Sequence, residues 1–205
     1  LGLKWRTFCI PDIEYPDKVQ SLLITRAVIL EGNLRPELLR RAMEQVINTN
    51  ERLRTSAHFS NGSFYEKIEP SIRFHLPVKD LTHLPEVKSL KIAKAIFRKE
   101  SLANMNMRYA PQIRVQLLKI EKRKYFLSFV IQHAVADGHT VEMFYKQTSQ
   151  AYNNLISKKK EALKASKFNY REFETQLTTW LAKGNEQRIK LFWRKQLRNI
   201  KPIPY

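Results

Sequence analysis

The sequence predicts an α/β fold, a layered sandwich in which helices pack on a mixed, largely antiparallel sheet. Three observations predict it. Apolar runs of strand length alternate along the chain with stretches of helical spacing. Some strands follow one another across short turns, which argues for hairpins rather than a regular βαβ array. The chain of 205 residues, 43% of them hydrophobic, is long enough for a sizeable core in one domain or two small lobes.

Taken in order, residues 21–30, "SLLITRAVIL", read as a buried strand that "EGN" breaks. In "RPELLRRAMEQVINTN" (35–50), Leu38, Leu39, Ala42, Met43, Val46 and Ile47 recur at helical spacing, with Pro36 near the first turn. "LRTSAHFS" and "SFYEKIE" flank Asn61-Gly62, a pair that accepts the positive φ angles of a two-residue hairpin turn. Ile72, Phe74, Leu76 and Val78 alternate and predict a strand over 72–78. Helical spacing returns at 85–100. "QIRVQLLKI" and "YFLSFVIQH", separated by "EKRK", predict adjacent antiparallel strands, the second so apolar that it belongs at the centre of the sheet. A helix follows over 140–156, with Val141, Phe144, Tyr145 and Tyr152 inward, and two Trp-bearing helices over 169–183 and 186–198.

Composition narrows the function classes. The 37 basic and 19 acidic residues give a net charge of +18, which attracts polyanions and acidic proteins. The basic residues are spread out rather than clustered, which argues against nucleic acid, and the one dense run, "SKKKEALKASK" at 157–167, reads as a solvated connector or helix face. No apolar stretch approaches the roughly 20 residues that span a bilayer, and no secretory leader is apparent, so a cytoplasmic setting is expected. The single cysteine, Cys9, excludes an internal disulfide or a thiolate metal cage. The opening at Leu1 and the closing "IKPIPY" read as cuts in a longer polypeptide.

The chemistry concentrates in "FVIQHAVADGHT" (129–140), where an apolar run meets His133 and a turn marked by Asp137 and Gly138. A core histidine at a strand end is one reading. A metal site from His133, Asp137 and His139 has irregular spacing and no cysteine, so no metal is expected. A serine hydrolase triad fails for want of a nucleophile-elbow serine. The remaining reading is acyl transfer: His133 serves as general base, Asp137 fixes the loop through a buried ion pair, and Gly138 permits close approach. On these residues alone, the core histidine and the general base stay open.

"QHAVADG" resembles the HHxxxDG signature of the condensation domains of non-ribosomal peptide synthetases, with Gln132 in place of the first His. "LRRAMEQVINTNERLRTSAHFSNGSFYEKI" resembles the family's upstream helix ending in RHExLRTxF and the hairpin after it. "APQIRVQLLKI" resembles its p-L-x-R-x-x-L strand, and "FNYREFETQLTTWLAKGNEQRIKLFWRKQL" its aromatic helical stretch. The resemblance covers most of residues 21–200.

It implies a chloramphenicol acetyltransferase-like lobe. Because 72 residues follow His133, it also implies that 1–205 is the N-terminal lobe of a two-lobed domain whose C-terminal lobe lies outside this chain. The implied activity is amide bond formation between acyl or aminoacyl thioesters borne on the phosphopantetheine of donor and acceptor carrier proteins, with no cofactor bound by the domain itself. His133 would deprotonate, or stabilise and orient, the attacking amine. Asp137 would be structural, with Arg54 of "LRT" its ion-pair partner and Arg114 the next choice. Adjacent synthetase domains are implied partners, and one lobe alone is expected to be inactive. A non-catalytic relative that docks carriers, and a CoA-dependent acyltransferase of the same superfamily, are the alternatives. Gln132 favours the first of these, because a neutral amide hydrogen-bonds like an imidazole but takes up no proton at pH 7.

Overall fold

The computed structural model describes residues 22–159, 163 and 170–200. Cys9, the opening segment, most of the basic run at 157–167 and the residues after Ile200 lie outside these, so the expectations placed there go untested. The chain divides into two compact units, 1–165 and 166–205.

The first unit runs β1 (Leu23–Glu31), α1 (Pro36–Thr49), a 3-10 turn (Glu51–Arg54), β2 (Thr55–Ser60), β3 (Ser63–Ile68), β4 (Val78–Asp80), α2 (Glu86–Leu102), β5 (Ile113–Glu121), β6 (Lys124–Gln132) and α3 (Gly138–Ile156). Four strands form a sheet in the order β1-β6-β5-β4. β6 is antiparallel to both β1 and β5, and β4 is parallel to β5, so the sheet is mixed and largely antiparallel as the sequence predicts. β2 and β3 form the expected hairpin, which stands apart from that sheet, with Asn61 and Gly62 both at positive φ.

β6 organises the unit. Every residue from Tyr125 to Gln132 is buried, so the strand needs cover on both faces. On one face Tyr125, Leu127, Phe129 and Ile131 join Ile113, Val115 and Leu117 of β5 against Leu39, Met43, Val46 and Ile47 of α1 and Val141 and Phe144 of α3. On the other, Phe126 packs with Leu118, Ile120, Leu81 and Ala93 of α2. The rings of Tyr145 and Phe144 lie 5.0 and 6.1 Å from that of Phe129. Burial pushes the Tyr145 phenol up to about 12, with the Arg26 charge acting against it.

Two expectations change. The strand expected to be buried, β1, is an edge of the four-stranded sheet; only Ile24 is buried and Ile29 is 41% exposed. The strand expected over 72–78 shrinks to Val78–Asp80. Phe74 and Leu76 are buried and alternate with exposed neighbours, yet among the described residues no strand pairs with 72–76. Side chains of α1 take the partner's place. Asn48 both donates to the Ile72 carbonyl and accepts its N–H, Glu44 accepts the Phe74 N–H, and Arg40 donates to the Phe74 carbonyl.

The second unit holds α4 (Tyr170–Trp180) and α5 (Glu186–Gln196), joined through Leu181–Asn185. The sequence predicts both helices. Gly184, at φ 87°, breaks the helical path between them, and Asn185 donates to the Trp180 carbonyl at 2.8 Å. Neither helix has a buried residue, and Trp180, Leu191, Phe192, Trp193 and Leu197 are exposed.

Phe129 is 1% exposed at the centre of the larger core. Phe129→Ala is expected to cost about 3–5 kcal/mol, seen as a lower urea midpoint with an unchanged slope. A loss under about 1 kcal/mol would mean that the core closes over the gap.

Candidate active site

The site candidates gather where β6 ends and the chain turns into α3. His133 is the first residue past the strand; it is half-buried, and its N–H donates to the Leu22 carbonyl at 2.9 Å. Both neighbours of the strand end thus hold it: Leu22 precedes β1, and the Gln112 carbonyl, one residue before β5, accepts the Gln132 N–H at 3.1 Å. The turn closes when the Val135 N–H meets the Gln132 carbonyl at 3.1 Å, and Ala134, Val135 and Ala136 are buried beneath it.

Gln132 is fully buried. Its side chain belongs to the interior of the sheet end, where an amide can take part in hydrogen bonding as an imidazole would. The substitution that set this chain apart from the HHxxxDG pattern therefore stands at an interior position.

Asp137 is the N-cap of α3. Its carboxylate accepts the Thr140 N–H at 2.9 Å and the Thr140 hydroxyl at 2.8 Å, while the Thr140 hydroxyl accepts the Asp137 N–H at 3.2 Å. This reciprocal pair is a capping box, and it satisfies donors that the first turn of a helix leaves open. The signal was present in the sequence as Asp137 and Thr140 three residues apart.

The Arg54–Asp137 ion pair expected from the sequence is not formed. Arg54 donates instead to the carbonyls of Glu69 and Pro70, tying the 3-10 turn to the end of the hairpin. Arg114, the second choice, reaches the carbonyls of Glu100, Ala103 and Asn104 at 3.0, 2.7 and 2.8 Å and lies 3.5 Å from the Glu100 carboxylate. It supplies donors to the open carbonyls at the C-terminal end of α2, a favourable place for a cation. Spacing in the sequence could not distinguish these carbonyl partners from a carboxylate.

Gly138, the first residue of α3, is exposed and has no positive φ; a Cβ there would meet no atom within 4 Å. Among the described residues nothing demands glycine there, and the space in front of it is open. His139 beside it is exposed as well. Among the described residues no three His, Cys, Asp or Glu are grouped as metal ligands, and no helix is long and apolar enough to cross a membrane.

Gln112, which sequence reasoning missed, is fully buried beside this turn. The signal available was its place in "APQIRVQLLKI", at the Leu position of p-L-x-R-x-x-L, but its bonds come from neighbours brought together by the fold.

Residues 17–204 match the profile of the Condensation domain family. Chondramide synthase of Chondromyces crocatus is 25% identical over 175 residues, and cyclosporin synthetase of Tolypocladium inflatum 28% over 182. The alignments take in 85% and 88% of this chain but only 4% and 1% of those proteins. Among solved structures, the starter condensation domain of rhizomide synthetase superposes with a TM-score of 0.79 at 18% identity, covering 97% of this chain and 47% of that one. The first condensation domain of CDA synthetase gives 0.80 at 14% identity, covering 98% and 50%. The sandwich is therefore the fold of one half of such domains.

Substitution of Asp137 tests the weight of the α3 cap. Asp137→Ala is expected to cost about 1–2 kcal/mol and Asp137→Asn a few tenths, because asparagine also caps well. Equal losses for the two, measured by urea unfolding, would show that a charge interaction outweighs the cap.

Proposed function

Because the chain belongs to the condensation-domain family, we propose that it is the N-terminal lobe of a domain that forms amide bonds between carrier-bound thioesters. The supporting observation is the seat of His133: half-buried, immediately beyond the central strand, in a turn fastened by main-chain bonds on both flanks and by the Asp137 cap.

In this reading the acceptor's amine nitrogen attacks the carbonyl carbon of the donor thioester. His133 accepts the proton that the amine sheds as the C–N bond forms. The tetrahedral intermediate collapses with cleavage of the C–S bond, and the departing phosphopantetheine thiolate takes the proton. The amide then stays on the acceptor carrier. Asp137 and Thr140 fix the start of α3, and Gly138 leaves room for the substrate arm. Gln132, at its interior position, takes no part in proton transfer. The domain binds no cofactor of its own.

The second lobe completes the site. The chain spans about half of the condensation domains it resembles, and α4 and α5 expose an apolar and aromatic surface of the kind that marks interfaces. Donor and acceptor carriers, adjacent synthetase domains and a cytoplasmic setting follow from the same reading, and the net charge of +18 suits acidic partners.

A CoA-borne donor is the second reading, because the starter condensation domain of rhizomide synthetase has been solved in complex with C8-CoA. Offering the same acyl group on CoA and on a carrier separates the two: a carrier-dependent enzyme turns over only the latter.

In the two-lobed protein supplied with loaded carriers, His133→Ala is expected to lower the condensation rate about 100-fold or more while the melting temperature holds. A variant as fast as wild type would remove His133 from the chemistry. A polypeptide limited to 1–205 is expected to fold and to show no carrier-dependent condensation, because half of the substrate-positioning surface is gone. Turnover by it at the rate of the two-lobed protein would show that one lobe suffices.

A further inference from the structure

At the mouth of the turn one residue ties together three segments distant in sequence. The Gln112 N–H donates to the Leu53 carbonyl at 3.2 Å, within the segment that ends in Arg54. Its carbonyl accepts the Gln132 N–H at 3.1 Å, the last amide before His133. Its side-chain Nε2 donates to the carbonyls of Met107 and Tyr109 at 3.1 and 2.8 Å, gathering the loop between α2 and β5, and the Met107 carbonyl also accepts the Ala57 N–H of β2 at 2.9 Å. Gln112 itself and its Nε2 bond to Met107 are buried, so a hydrogen bond lost there is not replaced by bulk water, whereas Tyr109 is exposed.

The register places Gln112 opposite Gln132, one step beyond the Ile113–Ile131 pair. Gln112 stands where the strand pattern p-L-x-R-x-x-L carries Leu, and Gln132 where HHxxxDG carries His. This chain's two buried departures from those patterns are thus cross-strand neighbours.

We propose that Gln112 is the positioning residue of the histidine turn, fixing where β6 releases the chain and hence where the His133 imidazole stands. The inference rests on the reading of His133 as general base, and it adds a residue whose effect passes through His133 without contact with substrate. The side chain restrains the loop, the main chain holds the strand end, and the same short residue does both, so a change in the first is felt by the second.

The test compares Gln112→Met, close in shape but lacking the amide, with Ser89→Ala. Ser89 is also fully buried and also donates to two loop carbonyls, those of Leu81 and Leu84, from α2 on the other face of the sheet. Both variants are expected to lose stability. Only Gln112→Met is expected to shift the His133 ring signals in a proton–carbon NMR spectrum and to speed hydrogen exchange at the Gln132 amide about tenfold. In the two-lobed protein with loaded carriers, Gln112→Met is expected to lower kcat about tenfold with a much smaller change in KM. Gln112→Asn, which keeps an amide one methylene short, provides the same readouts should the Met variant not fold. Unchanged His133 signals and Gln132 exchange in a destabilised Gln112 variant would overturn the proposal and leave Gln112 a purely structural residue. The NMR and exchange readouts need no turnover, so an inactive wild type would count against the condensation reading without deciding the role of Gln112.

Discussion

A strand buried on both faces is the constraint from which the rest of the first unit follows. From Tyr125 to Gln132 every residue of β6 is buried, and each of its peptide groups must find a partner in neighbouring chain. β1 and β5 supply those partners, and α1, α3 and α2 supply the apolar cover. Such a strand can surface only at its ends. At one end lies the short turn to β5; at the other the chain rises as Gln132, His133 and the buried alanines of the turn. A reactive side chain at that point inherits the rigidity of the most deeply packed element in the fold, which is what a group that must meet a substrate in one geometry requires.

Main-chain bonds and a helix cap hold the turn, and Arg54 and Arg114 are bonded to carbonyls elsewhere. The cap satisfies donors that the first turn of α3 would otherwise leave orphaned. The two arginines act as carbonyl clamps, Arg54 at the end of the hairpin and Arg114 at the end of α2. Each brings five fixed donors to loops rich in unpaired acceptors, a task that lysine performs less well.

Much of this was legible in the sequence, for identifiable reasons. Asn61-Gly62 announced the hairpin because few other pairs accept two positive φ angles, and the apolar run of β6 announced the sheet centre because only a doubly covered strand tolerates it. His133, Asp137 and Gly138 stood out by residue type and spacing. What stayed hidden depends on partners far along the chain. Period-two burial in 72–76 reports which side chains face inward but not which groups bond the backbone. An apolar stretch such as β1 does not tell an edge from a centre. Arginine partners are undetermined for the same reason, since a carbonyl leaves no mark on the sequence. The bonds of Gln112 were hidden because two of its partners, Leu53 and Gln132, lie on distant segments, and only its departure from the Leu of p-L-x-R-x-x-L marked it.

The pairing of α1 with the extended segment 72–76 works by commensurate lengths. One helical turn of four residues, from Asn48 back to Glu44, advances about 6 Å along the axis, and two residues of extended chain, Ile72 to Phe74, advance about 6.6 Å. The two rulers agree closely enough for Asn48 and Glu44, one turn apart, to meet Ile72 and Phe74, while Arg40 of the preceding turn reaches the Phe74 carbonyl. A β-ladder can slide by two residues and regain every bond, but a row of distinct side chains cannot, because Asn48 offers both a donor and an acceptor where Glu44 offers only acceptors. The segment is therefore indexed to the helix, and it delivers the Pro77 carbonyl to the Leu117 N–H at 3.0 Å, where β4 begins. The parallel edge of the sheet thus takes its alignment from α1, the helix that follows the strand at the other edge, and adding or removing one residue in either ruler would put the two out of step.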